Sequence, residues 1–351
     1  MSSMPTPAQR ECGLLAPGDF PQAASRYVAV LAGRAFAAEL ERQAVFEWRW
    51  GTPQEMHARL LRCHEHHRST FEITLRTDGG SHTLIGKVFA QDHCDMFRVM
   101  DALARAGLGA AAEFAIPQPL AYFPALHVLL EEKVPGPSAK EVLLAGDRDG
   151  QMAAMERCAR WLGRFHAAAP PRGSVYDERT HLEHWAEQVR SCAAGHRGLC
   201  ERLVEKLGAA TPASDGAALR AGHGSYMPGH VLLSGSRTVA IDLDECDIAD
   251  PARDVGYFMV ACQRVALKHL GSLHALDEPA ACFLRAYAAA TGGQGGPPGR
   301  RGGGVPGAVA HVPFYRALEC LHRARHDVVK RIPARPDWAA MMLEEGVRVL
   351  S

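Results

Sequence analysis

The spacing of apolar residues changes from strand-like to helix-like at Val134-Pro135-Gly136-Pro137, and this change limits the folds open to the chain. Before it, short segments rich in β-branched and aromatic residues flank the turn Asp78-Gly79-Gly80-Ser81, which is typical of an antiparallel hairpin. After it, apolar residues recur at helical spacing. We therefore expect an α+β chain, with a small sheet-rich half followed by a larger helical half.

The predicted elements follow from these spacings. Strands are predicted over 59–63, 70–77, 82–90, 116–123 and 127–133, with a helix over 93–106. Helices are predicted over 139–145, 150–168, 180–208, 252–274, 276–290, 312–330 and 336–350. The predicted organisation is an N-terminal helical extension (1–50), a sheet half (51–134), a helical half (135–351) and a flexible Gly/Pro loop (292–307).

Composition narrows the possible partners. Lys plus Arg and Asp plus Glu both number 39, so no net charge attracts a nucleic acid or an anionic membrane. The N-terminus lacks the pattern of a signal peptide, and no apolar run is long enough to span a bilayer. The ten cysteines form no Cys-x-x-Cys pair and lie among apolar neighbours, as in reducing compartments. We expect a cytoplasmic protein that binds neither nucleic acid nor membrane.

Residues with chemical potential are concentrated between His223 and Asp254. This stretch contains His223-Gly224-Ser225-Tyr226-Met227-Pro228-Gly229-His230, then Val239-Ala240-Ile241-Asp242-Leu243-Asp244-Glu245, then Asp250-Pro251-Ala252-Arg253-Asp254. It resembles the signature of the aminoglycoside phosphotransferase and choline kinase-like superfamily, and within it the bacterial branch. Flanking segments that resemble the superfamily are 116–120, 131–136, 161–166 and 334–338.

The resemblance implies a protein-kinase-like bilobal fold that uses ATP and Mg²⁺ to phosphorylate a small-molecule hydroxyl. Asp242 would then ligate Mg²⁺, and Lys87, in an apolar strand, would neutralise the ATP phosphates. Main-chain groups of Glu132, Lys133 and Val134 would bind the adenine edge. His223 and Asp254 would hold the loop in shape by hydrogen bonds.

The sequence departs from the superfamily signature at several positions whose side chains the resemblance assigns to catalysis or ligand binding. Ser225 stands at the catalytic aspartate, and serine has neither a base nor a negative charge at neutral pH. His230 stands where relatives carry Asn or Gln, and an imidazole nitrogen suits Mg²⁺ poorly. The first helix has no Glu to pair with Lys87, and Asp95, followed by Asp101, is the nearest acid. The predicted phosphate-covering turn, near 63–69, contains no glycine to let the main chain approach a phosphate.

Three functions therefore stay open. The first is a pseudokinase-like nucleotide binder with impaired transfer. The second is an active small-molecule kinase in which Asp244 or Glu245 replaces the missing base. The third is an interaction module that binds a protein partner without nucleotide. The acceptor is not identified. The stretch from Tyr176 to Trp185, together with Tyr257 and Tyr315, is a candidate to line its pocket, although aromatic residues at helical spacing also build cores.

Overall fold

The computed structural model describes residues 22–64, 66–192, 194–212, 219–292 and 309–351. The predicted Gly/Pro loop and the first part of the predicted N-terminal extension lie outside these ranges. The elements in chain order are α1 (Ser25–Ala32), α2 (Arg34–Arg42), β1 (Pro53–His64), β2 (Arg68–Thr77), β3 (Gly80–Phe89), α3 (Cys94–Leu103), β4 (Phe114–Ala115), β5 (Pro119–Phe123), β6 (Val128–Glu132), α4 (Ala139–Ala145), α5 (Arg148–Ala168), α6 (Glu178–Cys192), α7 (Arg197–Ala210), β7 (Arg220–Gly222), β8 (Val231–Ser234), β9 (Arg237–Ala240), β10 (Asp247–Ala249), α8 (Ala252–Leu270), α9 (Asp277–Thr291), α10 (Val312–Arg325) and α11 (Pro336–Val349).

The architecture is α+β, as predicted, and the chain divides into two compact units. The first comprises Met1–Ala104 and Pro117–Val134, and the second comprises Arg105–Ile116 and Pro135–Ser351. The first unit contains a five-stranded sheet in the order β1-β2-β3-β6-β5. All neighbouring strands in it are antiparallel. Among the described residues, no helix combines the length and apolar content needed to cross a bilayer.

One face of the five-stranded sheet is apolar, and the other carries both polar and apolar side chains, including Lys87 and Leu129. Phe71, Ile73, Leu84 and Val88 alternate along β2 and β3 and are buried in the core of the first unit. The helices α1 and α2 contribute to the same core through apolar side chains such as Phe36. The side chains at the intervening positions of β2 and β3 project to the opposite face, because successive strand residues alternate.

The second unit is mainly helical, with α5, α8, α9 and α10 packed against one another. It also holds two small sheets, in the orders β4-β9-β8 and β10-β7. The single helix predicted over 180–208 is wrong: α6 ends at Cys192 and α7 begins at Arg197. Gly195 lies in the short 3-10 turn that separates these helices, and glycine is among the weakest helix formers.

Candidate functional site

The stretch between His223 and Asp254 is held at its base by a short antiparallel pairing. Asp247 of β10 faces Gly222 of β7, so the chain leaves and returns at adjacent points. Between these strands, β8 and β9 form a hairpin in which Val231 faces Ala240. The segment that carries the candidate site residues therefore has a frame made from main-chain hydrogen bonds.

Asp254, in the first turn of α8, holds the start of this segment in place through hydrogen bonds. Its carboxylate accepts hydrogen bonds from the main-chain N–H of His223 at 2.7 Å and of Gly224 at 2.9 Å. It also lies 3.1 Å from Nε2 of His166, whose Nδ1 is 2.8 Å from the Tyr287 hydroxyl. Burial alone would raise the pKa of Asp254, but the hydrogen bond and charge of His166 lower it to about 2. The carboxylate is therefore ionised at neutral pH.

His223 is fully buried beside three aromatic rings, those of Trp161, Phe165 and Tyr226. Neither ring nitrogen has a hydrogen-bond partner among the described residues. Burial lowers the pKa of His223 to about 4, although the charge of Asp254 opposes this shift. The imidazole is therefore neutral at pH 7. The expectation that the His223 side chain holds the loop by hydrogen bonds is wrong: within the described residues its ring packs among aromatic side chains, and the hydrogen bond to Asp254 comes from its main-chain N–H.

Gly224 brings the loop against the turn that follows Asp242. It has a φ of +79°, which favours glycine, and a Cβ added there would lie 1.9 Å from the main-chain oxygen of Glu245. No side chain can occupy this space without moving the turn Leu243–Glu245. The residue that precedes Ser225 is thus in direct contact with the segment that contains the predicted substitute bases.

Ser225 is 9% exposed, and its hydroxyl donates a hydrogen bond to the main-chain oxygen of Asp242 at 3.2 Å. The Ser225 main-chain oxygen accepts a hydrogen bond from Nδ1 of His230 at 3.0 Å. The other ring nitrogen of His230 lies 3.4 Å from Oδ2 of Asp242. The structure therefore brings Ser225, His230 and Asp242 together.

Asp242 has φ +66° and ψ +59°, a left-handed conformation that is uncommon for residues other than glycine. This conformation ends the strand β9 region and starts the turn Leu243–Glu245, in which Asp244 is half-buried and Glu245 is exposed. No group of three or more His, Cys, Asp or Glu side chains suited to a metal occurs in the described part of the chain. A single carboxylate fits a Mg²⁺ ion that is bound mainly by phosphate oxygens and water.

Lys87 of β3, in the first unit, is 7% exposed and pairs with Glu131 of β6, with 3.1 Å between Nζ and Oε1. The prediction that Asp95 is its nearest acid is wrong. Asp95 instead pairs with Arg98 one helical turn away, and its side chain is 89% exposed. A pairing of Asp101 with Lys87 is likewise replaced by Glu131, which lies on the neighbouring strand.

The predicted adenine-binding segment follows Glu131. The main-chain N–H of Glu132 donates to the oxygen of Gln118 at 2.9 Å, so this donor is already used within the sheet. The ammonium of Lys133 lies 2.6 Å from the carboxylate of Glu72. Val134 is buried at the end of the segment.

The candidate pocket aromatics all have partners within the second unit. The guanidinium of Arg253 lies 3.8 Å from the centre of the Tyr176 ring, and that of Arg323 lies 4.8 Å from the centre of the Tyr257 ring. Tyr315 is buried, and its hydroxyl donates to Glu178 at 2.5 Å. These contacts favour a packing role for Tyr315 over a substrate-binding one.

Sequence reasoning missed two side chains that organise these sites. Both Glu131 and His166 lie in segments that resemble the superfamily, 131–136 and 161–166, but neither was expected to have a role of its own. A run of two acids, Glu131-Glu132, in a strand that is otherwise apolar was a signal for the first. No sequence signal linked His166 to Asp254.

The five-stranded antiparallel sheet of the first unit and the helices of the second define a protein-kinase-like fold, and solved structures share it. The chain is similar to a candidate aminoglycoside phosphotransferase from Ralstonia eutropha JMP134 (18% identity, TM-score 0.61, covering 90% of this chain and 98% of the other). It is also similar to the choline kinase LicA from Streptococcus pneumoniae (12%, 0.56, 90% and 98%). A third similar structure is a thermostable mutant of aminoglycoside phosphotransferase APH(4)-Ia in a ternary complex with ADP and hygromycin B (13%, 0.54, 88% and 98%).

The model of the phosphotransferase enzyme family matches residues 88–301, which is more than half of the chain. The chain therefore belongs to the phosphotransferase enzyme family, and the resemblance seen in its sequence is confirmed. No curated protein matches it in sequence.

Proposed function

We propose that this chain binds ATP with Mg²⁺ and that its phosphoryl transfer to a small-molecule hydroxyl is impaired. The observation that carries the proposal is the state of Ser225, at the position of the catalytic aspartate. Its hydroxyl already donates a hydrogen bond to the main-chain oxygen of Asp242. A hydroxyl in this arrangement offers no carboxylate to orient an acceptor and take its proton.

Each of the two units contains a residue that suits nucleotide binding. Lys87 carries a buried positive charge, which suits a phosphate group, and Asp242 offers a carboxylate for Mg²⁺. When bound, Mg²⁺ would neutralise charge on the phosphates. Among the structures with this fold, the APH(4)-Ia mutant is described with ADP and hygromycin B. His230 fits Mg²⁺ poorly, since its Nδ1 already bonds to Ser225 and nitrogen is a poor ligand for this ion.

The absence of a base should slow transfer strongly without preventing binding. General acid–base catalysis contributes about 10²- to 10⁴-fold, which corresponds to about 3–5 kcal/mol of barrier. The substitution Ser225→Asp should therefore raise the transfer rate by about 10²- to 10⁴-fold while the affinity for ATP changes little.

The test combines two measurements on the full chain. Calorimetric titration with ATP, with and without Mg²⁺, measures binding. Transfer from labelled ATP to a panel of aminoglycosides, choline and amino sugars measures activity, with wild type and Ser225→Asp assayed in parallel. Asp242→Asn serves as the control that removes the proposed metal ligand, so any gain from Ser225→Asp should vanish in the double variant.

A second function is an active kinase in which Asp244 or Glu245 acts as the base. One observation favours it: Gly224 packs directly on Glu245, which brings the turn Leu243–Glu245 next to Ser225. Fast transfer by the wild type, unaffected by Ser225→Asp but abolished by Asp244→Asn or Glu245→Gln, would establish this function and overturn the first. A wild type that binds no ATP would overturn both and leave the interaction module.

A further inference from the structure

Lys87 and Glu131 form an ion pair that is almost entirely withdrawn from water. Their side chains are 8% and 5% exposed, with 3.1 Å between Nζ and Oε1. Removing two charges from water costs free energy, which the pair recovers only when its geometry is well held. Oε2 of Glu131 is also buried, and it has no hydrogen-bond partner among the described residues. In the described part of the chain, this carboxylate therefore pairs with Lys87 through Oε1 and makes no hydrogen bond through Oε2.

The register of the sheet explains why these two side chains meet. Lys87 faces Leu129, and Ile85 faces Glu131, across the antiparallel pair of β3 and β6. Residues that face each other in such a pair project to the same side of the sheet. Lys87 and Glu131 are therefore diagonal neighbours on the face of the sheet that lies opposite the apolar core containing Leu84 and Val88.

A counter-charge on a strand differs physically from one on a helix. Glu131 is held by the hydrogen-bond ladder of β6 with β3 and β5, so it stays beside Lys87 whatever the position of α3. The acid at the start of α3, Asp95, is exposed and paired with Arg98. It contributes no charge to the Lys87 pair.

We propose that Glu131 is the positioning residue of Lys87, a role that rests on the proposed binding of ATP. An ammonium group has three donors, and Glu131 uses one of them, which leaves two for phosphate oxygens. Because Glu131 holds Lys87 in place before the ligand arrives, less side-chain freedom is lost on binding. In this role Glu131 acts on the phosphates through Lys87.

The test is the affinity of the full chain for ATP with Mg²⁺ and for adenosine, measured by calorimetry. Glu131→Gln keeps the volume and removes the charge, so we expect ATP to bind about tenfold more weakly while adenosine binding is unchanged. Asp95→Asn is the matched control on α3 and should leave both affinities unchanged. Lys87→Met and Lys87→Met/Glu131→Gln should bind ATP equally weakly, because Glu131 has no lysine to position in either variant.

Several results would overturn the proposal. One is an ATP affinity in Glu131→Gln equal to that of the wild type. Another is a double variant that binds ATP clearly more weakly than Lys87→Met, which would mean that Glu131 acts independently. A loss of ATP affinity in Asp95→Asn would return the role to α3. Adenosine affinity and the melting temperature report folding, and if Glu131→Gln does not fold, the double variant is compared with Lys87→Met alone. Failure of the wild type to bind ATP is a separate outcome, which removes the proposed function and this role together.

Discussion

Asp254 should determine whether the loop that starts at His223 stays closed. Replacing it with alanine removes the acceptor of two buried main-chain N–H groups, at 2.7 Å and 2.9 Å, and the partner of His166 at 3.1 Å. A buried donor left without a partner costs about 1–3 kcal/mol. Two such donors, together with a broken charge-assisted contact, predict a loss of about 3–4 kcal/mol in the free energy that holds the loop closed.

Hydrogen exchange followed by mass spectrometry measures this loss where it occurs. In the regime where exchange reports the opening equilibrium, about 3–4 kcal/mol corresponds to exchange about 10²- to 10³-fold faster in a peptide over 219–231. A peptide over β2 and β3, in the first unit, should be unchanged. Asp277→Ala is the matched control, because this aspartate is exposed and pairs with His274 on the surface.

An increase of less than about tenfold in exchange at the amides of His223 and Gly224 in Asp254→Ala would show that the carboxylate is not their decisive partner. Equal increases in the exchange rates of peptides from both units would also contradict this role of Asp254. Asp254→Asn retains one carbonyl oxygen, so it should fall between the wild type and the alanine variant.

Two further predictions concern the same loop. Gly224→Ala should lower the free energy of unfolding by about 2–4 kcal/mol, measured by thermal denaturation, because the new Cβ would lie 1.9 Å from the main-chain oxygen of Glu245. Gly235→Ala is the control, since Gly235 has φ +56° and nothing within 4 Å of an added Cβ, and it should cost clearly less. Equal costs in the two variants would disprove the contact. The folded-state pKa of His223, about 4, lies below the ordinary histidine value of 6.5, so the unfolded chain binds a proton first and stability falls as pH drops from 6.5 to 4. In His223→Phe, which suits the three aromatic neighbours, this part of the pH dependence, about 3 kcal/mol, should disappear from denaturation curves measured across that range; an unchanged slope would contradict it.

The sequence predicted the sheet of the first unit well because its signals are local. The turn Asp78-Gly79-Gly80-Ser81 and the alternation around it place β2 and β3 within a few residues of their true bounds. The helix predicted over 180–208 was wrong because periodicity continues across a short break, and only Gly195 marks that break. Local patterns thus identify elements better than the places where elements stop.

Partners of the site residues were harder to predict because they depend on register and packing. Lys87 was identified from its apolar surroundings, but its partner Glu131 follows from strand pairing between segments distant in the chain. Likewise, the motif pointed to Asp254, but its bond to His166 depends on how α5 packs near α8. The sequence predicts that Ser225 and His230 depart from the motif, and the structure adds that both side chains bond to main-chain oxygens of the same segment.

The pairing of Gly222 with Asp247 holds the two ends of the segment together without using the side chains of Ser225 or His230. The bonds that define the shape use main-chain groups and one distant carboxylate, that of Asp254. The side chains of Ser225 and His230 each add one hydrogen bond to a main-chain oxygen of the same segment. Replacing either of them removes one such bond and leaves the strand pairing and the Asp254 bonds in place. The chain could therefore lose or regain a catalytic group by single substitutions, with no need to rebuild the scaffold around it.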